Sequence, residues 1–331
     1  MTIEFKHLIY DREYYLTHTE TVNEDLTMCD EIGKECFSNC LKLSEIIIPD
    51  SITKINKYCF YGCYNLSKII IPDSVTEIGN KCFEYCCNLT KIDIPDSIIK
   101  IGDECFYRCY NLSEIIIPDS VKEIGDSCFY NCSNLITIKI PNSITKLSDR
   151  CFSTCSNLSK IIIPDSVKEI CNGCFAWCSN LSEIIIPNSV TKIGDSCFYN
   201  CSNLSKIIIP NLVMDDNSYR SEGLTKLDDS CFYNCYNLSK IEIPNSVKEI
   251  GSCCFGRCDN LSKIDIPNSV KELGERCFEE CINLTSIVIP NSVTKLGDEC
   301  FAYSNLTKIE IPDSVKEIGE RCFHGCPAII N

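Results

Sequence analysis

The feature that most constrains this chain is a spacing. Pro49, Pro72, Pro95, Pro118, Pro141, Pro164, Pro187 and Pro210 stand 23 residues apart, Pro244, Pro267 and Pro290 resume the interval, and Pro312 follows one residue early. A fixed period in the range of roughly 20 to 50 residues marks a stacked repeat architecture, in which each unit buries its apolar face only against its neighbours. A stack of this kind grows without a limit on core size. The 331 residues therefore read as one solenoid rather than as two globular domains.

The cleanest copy runs from Leu66 to Asn88, LSKIIIPDSVTEIGNKCFEYCCN. Its Leu66-Ser67-Lys68-Ile69-Ile70-Ile71 has the spacing of a short strand that turns Leu66, Ile69 and Ile71 inward, and Pro72-Asp73-Ser74 ends it, because proline lacks an N–H and Asp and Ser favour turns. A second extended piece, Val75-Thr76-Glu77-Ile78, points Val75 and Ile78 inward, and Gly79 permits a bend. The third side is expected to be a short helical turn. Asn80, or Asp103, Asp126 and Asp195 at matching positions, would cap it, with Cys82, Phe83 and Cys86 on one face.

These residues resemble a known family. L-x-x-I-x-I-P-x-S-V-x-x-I-G-x-x-[A/C]-F-x-x-C-x-N is similar to the BspA-like leucine-rich repeat, over about residues 26 to 331. The resemblance implies a leucine-rich-repeat solenoid, a curved right-handed stack of about 13 rungs with short parallel β-strands and short helical turns. It also implies a non-enzymatic role in adhesion or protein binding, and it supplies no catalytic residues. The departure lies before the phenylalanine, where the family more often has Ala and this chain has Cys in all thirteen copies.

Residues 1–25 lack the repeat and read as an N-terminal capping segment that covers the first rung. One insertion, LVMDDNSYRSE at about 212–222, interrupts the period, and insertions in solenoids map to loops on one face. The net charge of −15 argues against nucleic acid, since no basic stripe exists to displace phosphate counterions. No apolar run reaches the roughly 18 residues of a membrane span, and neither a signal peptide nor a prenylation box is visible. A cytoplasmic monomer is the expectation, with surface exposure by a route without a signal peptide left open.

Of the 29 cysteines, 25 fall into two columns, Cys36 to Cys322 before Phe and Cys40 to Cys326 four residues later. Neighbouring rungs about 4.8 Å apart lie within reach of a disulfide, so geometry alone leaves packed thiols, disulfides and metal ligation open. A reducing compartment and the odd count favour packed thiols. An asparagine precedes the strand leucine in rung after rung, from Asn65 to Asn305, and reads as a stacked amide ladder that glycans on its N-L-[S/T] sequons would break. His7, His18 and His324 sit near the chain ends, and no catalytic triad, metal-ligand cluster or phosphate loop follows from the sequence. No cofactor or metal is expected.

The expected function is a protein-protein interaction scaffold with a partner of unidentified kind. A surface adhesin or assembly element, and a cysteine-based metal or redox protein, are the alternatives. Side chains alternate along a strand, so the third and fifth positions of L-x-x-I-x-I face outward. The fifth position carries Ile47, Ile70, Ile116, Ile162, Ile185 and Ile208, with Asp93 and Lys139 between them, and turns largely acidic beyond the insertion. These isoleucines form the candidate binding stripe, and Tyr219 and Arg220 of the insertion are candidate contacts beside it. Tyr107, Tyr130 and Tyr199 on the third side are the fallback surface.

Overall fold

The computed structural model describes residues 30–211 and 223–327 and the backbone strand Ile329–Ile330. The expected cap at residues 1–25 and the insertion at 212–222, with Tyr219 and Arg220, lie outside the described residues. The fold is a parallel-strand β-solenoid of about 12 turns. It forms two compact units, Met1–Ile161 and Ile162–Asn331.

In the first unit the strands of the rung's first side pair in parallel and in register. Glu45–Ile47 lies against Lys68–Ile70, and Lys91–Asp93 against Glu114–Ile116. The second side makes a five-stranded parallel sheet from Glu31–Ile32, Lys54–Ile55, Glu77–Ile78, Lys100–Ile101 and Glu123–Ile124. The second unit repeats the plan. Glu183–Ile185, Lys206–Ile208 and Lys240–Ile241 form part of its first side, and Lys226–Leu227, Glu249–Ile250, Glu272–Leu273, Lys295–Leu296 and Glu317–Ile318 its second. Each partner stands one repeat away, which is why a strict period in sequence becomes a ladder in space.

The expected helical turn is replaced by something else. Lys81 and Tyr85 adopt left-handed backbone, with φ of 57° and 62°, and the same pair of positions recurs in every described rung, from Glu35 and Asn39 to Arg321 and Gly325. Two tight turns result, Glu84 N–H to Lys81 C=O at 3.4 Å and Cys86 N–H to Phe83 C=O at 3.0 Å. The reversed residues aim alternate N–H groups at the next rung: Lys81 to Asp103 C=O, Phe83 to Cys105 C=O and Tyr85 to Tyr107 C=O, at 2.8, 2.8 and 2.9 Å. A helix would spend those donors inside its own turn. Here they hold the rungs together, and consecutive Cys82 and Phe83 are both fully buried.

Two other local readings change with it. Gly79 has no left-handed φ, and a Cβ there would stand 2.5 Å from the backbone N of Lys57 and 2.7 Å from the carbonyl carbon of Asn56. It is required by the close approach of two rungs rather than by a bend. The capping groups also act between rungs: Asn80 Oδ1 accepts the N–H of Asp103 at 3.1 Å, and Asp103 Oδ1 that of Asp126 at 3.0 Å. The turn after the proline is closed the same way, Ser74 Oγ donating to Ile52 C=O at 2.6 Å.

The core is a file of phenylalanines, stacked nearly parallel at 5.4 Å between Phe60 and Phe83 and at 5.5 Å between Phe175 and Phe198. The described cysteines are free thiols. Second-column S–H groups donate to the phenylalanine carbonyl one rung back, as Cys86 does to Phe60 at 3.2 Å and Cys258 to Phe232 at 3.2 Å. Ser304, which replaces a second-column cysteine, is buried and donates instead to the carbonyl of Phe301 in its own rung, at 2.8 Å. The amide ladder is present: Asn88 Nδ2 donates to Asn65 Oδ1 at 3.3 Å and Asn134 to Asn111 at 3.1 Å.

Candidate functional site

The first-side strands alternate as their sequence requires, exposed, buried, exposed. In the first unit Ile47 and Ile70 are register partners and both protrude, and Ile116, 61% exposed, stands beside Asp93. Lys139 follows on the strand Thr137–Lys139. The apolar column is therefore a pair and a single, parted by a carboxylate. In the second unit Ile162 and Ile185 protrude at 61% and 58% exposure, while Ile208, the register partner of Ile185, is half-buried. Six isoleucines occupy the expected outward positions, five of them exposed. Isoleucine on an open face retains roughly 1.5–3 kcal/mol of burial energy for whatever covers it.

The neighbouring third-position charges pair across rungs. Lys68 reaches Glu45 at 3.8 Å, Lys91 reaches Glu114 at 3.6 Å, and Lys206 reaches Glu183 at 2.7 Å. Later in the second unit the fifth position turns acidic, and the lysine pairs within its own strand, Lys240 with Glu242 at 2.8 Å and Lys308 with Glu310 at 3.0 Å. Val288 interrupts that stretch, 79% exposed, and lines a groove of about 1080 Å³ together with Asp265, Asn291, Lys308 and Glu310. These exposed pairs add little stability. Their effect is to neutralise the rim of an apolar face.

The third side carries a feature that strand reasoning passes over. Tyr107 and Tyr130 stack at 4.7 Å, and Tyr199 stacks on Tyr233 at 5.3 Å, all half-buried. Arg108 lies over the rings of Tyr85 and Tyr107 at 5.4 and 5.3 Å and donates from Nη1 to the Tyr85 hydroxyl at 2.8 Å. Glu84 is buried beside this cluster. Burial raises its carboxyl above the usual range, and Lys81 at 3.7 Å works against that rise. The recurrence of tyrosine two residues after the Cys-Phe column's cysteine, at 61, 107, 130, 199 and 233, was the available signal.

Among the described residues no group of His, Cys, Asp and Glu is arranged to hold a metal ion. Burial pushes the Cys63, Cys155, Cys201 and Cys281 thiols up to about 12, the reverse of what a nucleophile or metal ligand needs. No helix among the described residues is long and apolar enough to cross a membrane.

The sequence profile of the BspA type leucine rich repeat region matches residues 30–159, 99–224 and 214–330, in 6 copies. The chain belongs to the BspA-type leucine-rich repeat family. Solved leucine-rich repeat structures are similar to it. This BspA-type protein is 30% identical to a leucine-rich repeat protein from Bacteroides ovatus, covering 90% of this chain and 80% of the other, with a TM-score of 0.64. It is 31% identical to a leucine rich cell surface protein from Faecalibacterium prausnitzii, covering 87% and 88%, with a TM-score of 0.56. A leucine-rich repeat protein from Eubacterium ventriosum, 24% identical with a TM-score of 0.53, shares the fold. No curated protein matches.

Proposed function

We propose that this BspA-type repeat protein is a non-enzymatic scaffold that binds a protein partner through the first-side strand face of each unit. The observation that carries the reading is the protruding isoleucine at the fifth strand position, in Ile47, Ile70 and Ile116 of one unit and Ile162 and Ile185 of the other, where charged or polar side chains would cost the fold nothing. Flanking lysines and glutamates that already neutralise one another leave the face with an apolar centre and a polar rim. Thiols that are buried and hydrogen-bonded to phenylalanine carbonyls support residence in a reducing compartment such as the cytoplasm.

The test begins with a pull-down from host lysate. Ile116, Ile162 and Ile185 are then changed together to Thr, which keeps strand propensity. We expect at least a tenfold loss of affinity for the captured partner with the melting temperature nearly unchanged. Undiminished binding would move the site to the insertion or to the tyrosines of the third side. A second reading, a surface adhesin, is favoured by the likeness to the Faecalibacterium prausnitzii cell surface protein. Surface biotinylation of intact cells distinguishes the two, since an adhesin is labelled and a cytoplasmic scaffold is not.

A further inference from the structure

The tyrosines are not spread evenly along the chain. Seven of the 15 lie between residues 58 and 130, in the first unit, and four of these form a row along the third side, one ring on each of four successive rungs. Tyr61, Tyr107 and Tyr130 follow a Cys-Phe pair directly. The rung between the first two has Glu84 there, and Tyr85, the next residue, steps into the gap. Ring centroids succeed one another at 5.9, 6.2 and 4.7 Å. Tyr85 stands crosswise to its neighbours, at 84° to Tyr61 and 69° to Tyr107, and Tyr64 leans on it at 51°. The row is therefore ridged, with ring faces and edges alternating.

Arg108 lies at the middle of this row, over Tyr85 and Tyr107, with Nη1 donating to the Tyr85 hydroxyl. No carboxylate answers it. Third-side Arg257, Arg276 and Arg321 of the second unit each pair with a glutamate, at 3.0, 2.7 and 3.5 Å. Lys81, beside the row, is matched by Glu104 at 3.0 Å. Among the described residues Arg108 has no such partner, and Nη2 of its half-buried guanidinium makes no hydrogen bond. A chain of net charge −15 thus leaves this cation unmatched on an aromatic ridge.

We propose that the ridge is a second interaction surface, which takes an extended proline-rich segment in the polyproline II conformation, with one acidic side chain seated on Arg108. It lies on a different side of the rung from the isoleucine face and serves a different partner. Each property of that occupant answers an observation. The open guanidinium Nη2 calls for a carboxylate, which it would hold by a charge-assisted hydrogen bond. The net charge of −15 repels a segment with many acidic groups, so the rest of the ligand is near neutral, and proline rings pack between non-parallel aromatic side chains. The period also fits. A polyproline II helix repeats every three residues, about 9.3 Å at about 3.1 Å per residue. Two rungs span about 9.6 Å at about 4.8 Å each, so the same face of the ligand returns to every second rung of the row. Such a helix leaves its carbonyls without internal partners, and the Tyr85 hydroxyl, which accepts from Arg108, keeps its own proton to donate to one of them.

Fluorescence anisotropy of a labelled proline peptide with one central glutamate, titrated with the full chain, tests the proposal. Saturable binding at micromolar concentrations is expected. The variants are residues that other rungs hold at the same positions, so the fold accepts them: Arg108→Asn matches Asn131, and Tyr107→Ser matches Ser153. Each should weaken binding at least tenfold with the melting temperature nearly unchanged. Replacing the peptide's glutamate with lysine should do the same, and Arg108→Glu, which matches Glu280, should reverse the preference between the two peptides. Changing Ile116, Ile162 and Ile185 together to Thr should leave peptide binding intact, which separates this surface from the strand face. Absence of saturable binding overturns the proposal, as does binding indifferent to Arg108→Asn and Tyr107→Ser. So does tyrosine-dependent capture of a neutral oligosaccharide such as maltoheptaose in place of the peptide, which would make the ridge a sugar platform.

Discussion

Gly79 and Ser127 occupy neighbouring roles in the rung and respond oppositely to substitution. At Gly79 an added methyl would meet the Lys57 and Asn56 backbone, which cannot swing aside as a side chain could. We expect Gly79→Ala to cost about 2–3 kcal/mol, the range of core overpacking, measured by urea denaturation. The same position holds Asn56, Ser148, Cys171 and Asp228 in other rungs, so the loss should stop short of unfolding. Ser127 sits at φ 52°, a left-handed backbone that costs a non-glycine residue about 1–2 kcal/mol. Ser127→Gly relieves that cost and gives part of it back through the freer unfolded chain, for a net gain of about 0.5–1 kcal/mol by the same denaturation. A cost for Gly79→Ala within error of zero would mean that the rungs separate easily, and would undercut the close-approach account.

At the scale of elements, the two strand sides were legible and the third was not. Alternation placed Leu66, Ile69 and Ile71 inward and Lys68 and Ile70 outward, and the structure places them so. Cys82, Phe83 and Cys86 read as one helix face because a spacing of one and four residues suits a helix. What actually buries adjacent Cys82 and Phe83 is the reversal of Lys81 and Tyr85, and neither residue advertises a left-handed backbone. The trace that existed was glycine at 62, 173 and 325, in columns otherwise filled by residues that carry a side chain. Tyr107, Tyr130 and Tyr199 were legible as a fallback surface, but Arg108 and Glu84 beside them were not, since their placement depends on those reversals. The inter-rung ladders make register the quantity that any length change must respect. Deleting Leu89–Asn111, one full 23-residue repeat, joins Asn88 to Leu112 and returns every donor to an equivalent acceptor. A cooperative melt a few degrees lower is expected by dichroism. Deleting Leu89–Arg108 shifts the ladders by three residues and should abolish the cooperative transition.

For the whole molecule, the thiol columns tie stability to pH. Burial is the first cause that raises the folded-state pKa of the column thiols, to about 12 for Cys63, Cys155, Cys201 and Cys281, and further in the same direction for Cys82 and Cys128. An unfolded thiol ionises near its ordinary value of about 8.5. The folded state therefore binds more protons than the unfolded state between those two values, and stability falls as pH rises across that window. Below about pH 8 the contribution is intact. Above it each such thiol withdraws up to about 1.4 kcal/mol per pH unit, and because these thiols sit in many stacked rungs their losses fall on one cooperative structure. Against a net stability of roughly 5–15 kcal/mol, a handful of thiols suffices. The melting temperature should hold between about pH 6 and 8 and then drop steeply, with unfolding at room temperature before about pH 11. Replacing Cys63, Cys155, Cys201 and Cys281 together with Ala should flatten that alkaline slope even while lowering stability at neutral pH. A slope unchanged by the replacement would assign the alkaline loss to other groups, such as the half-buried tyrosines of the third side.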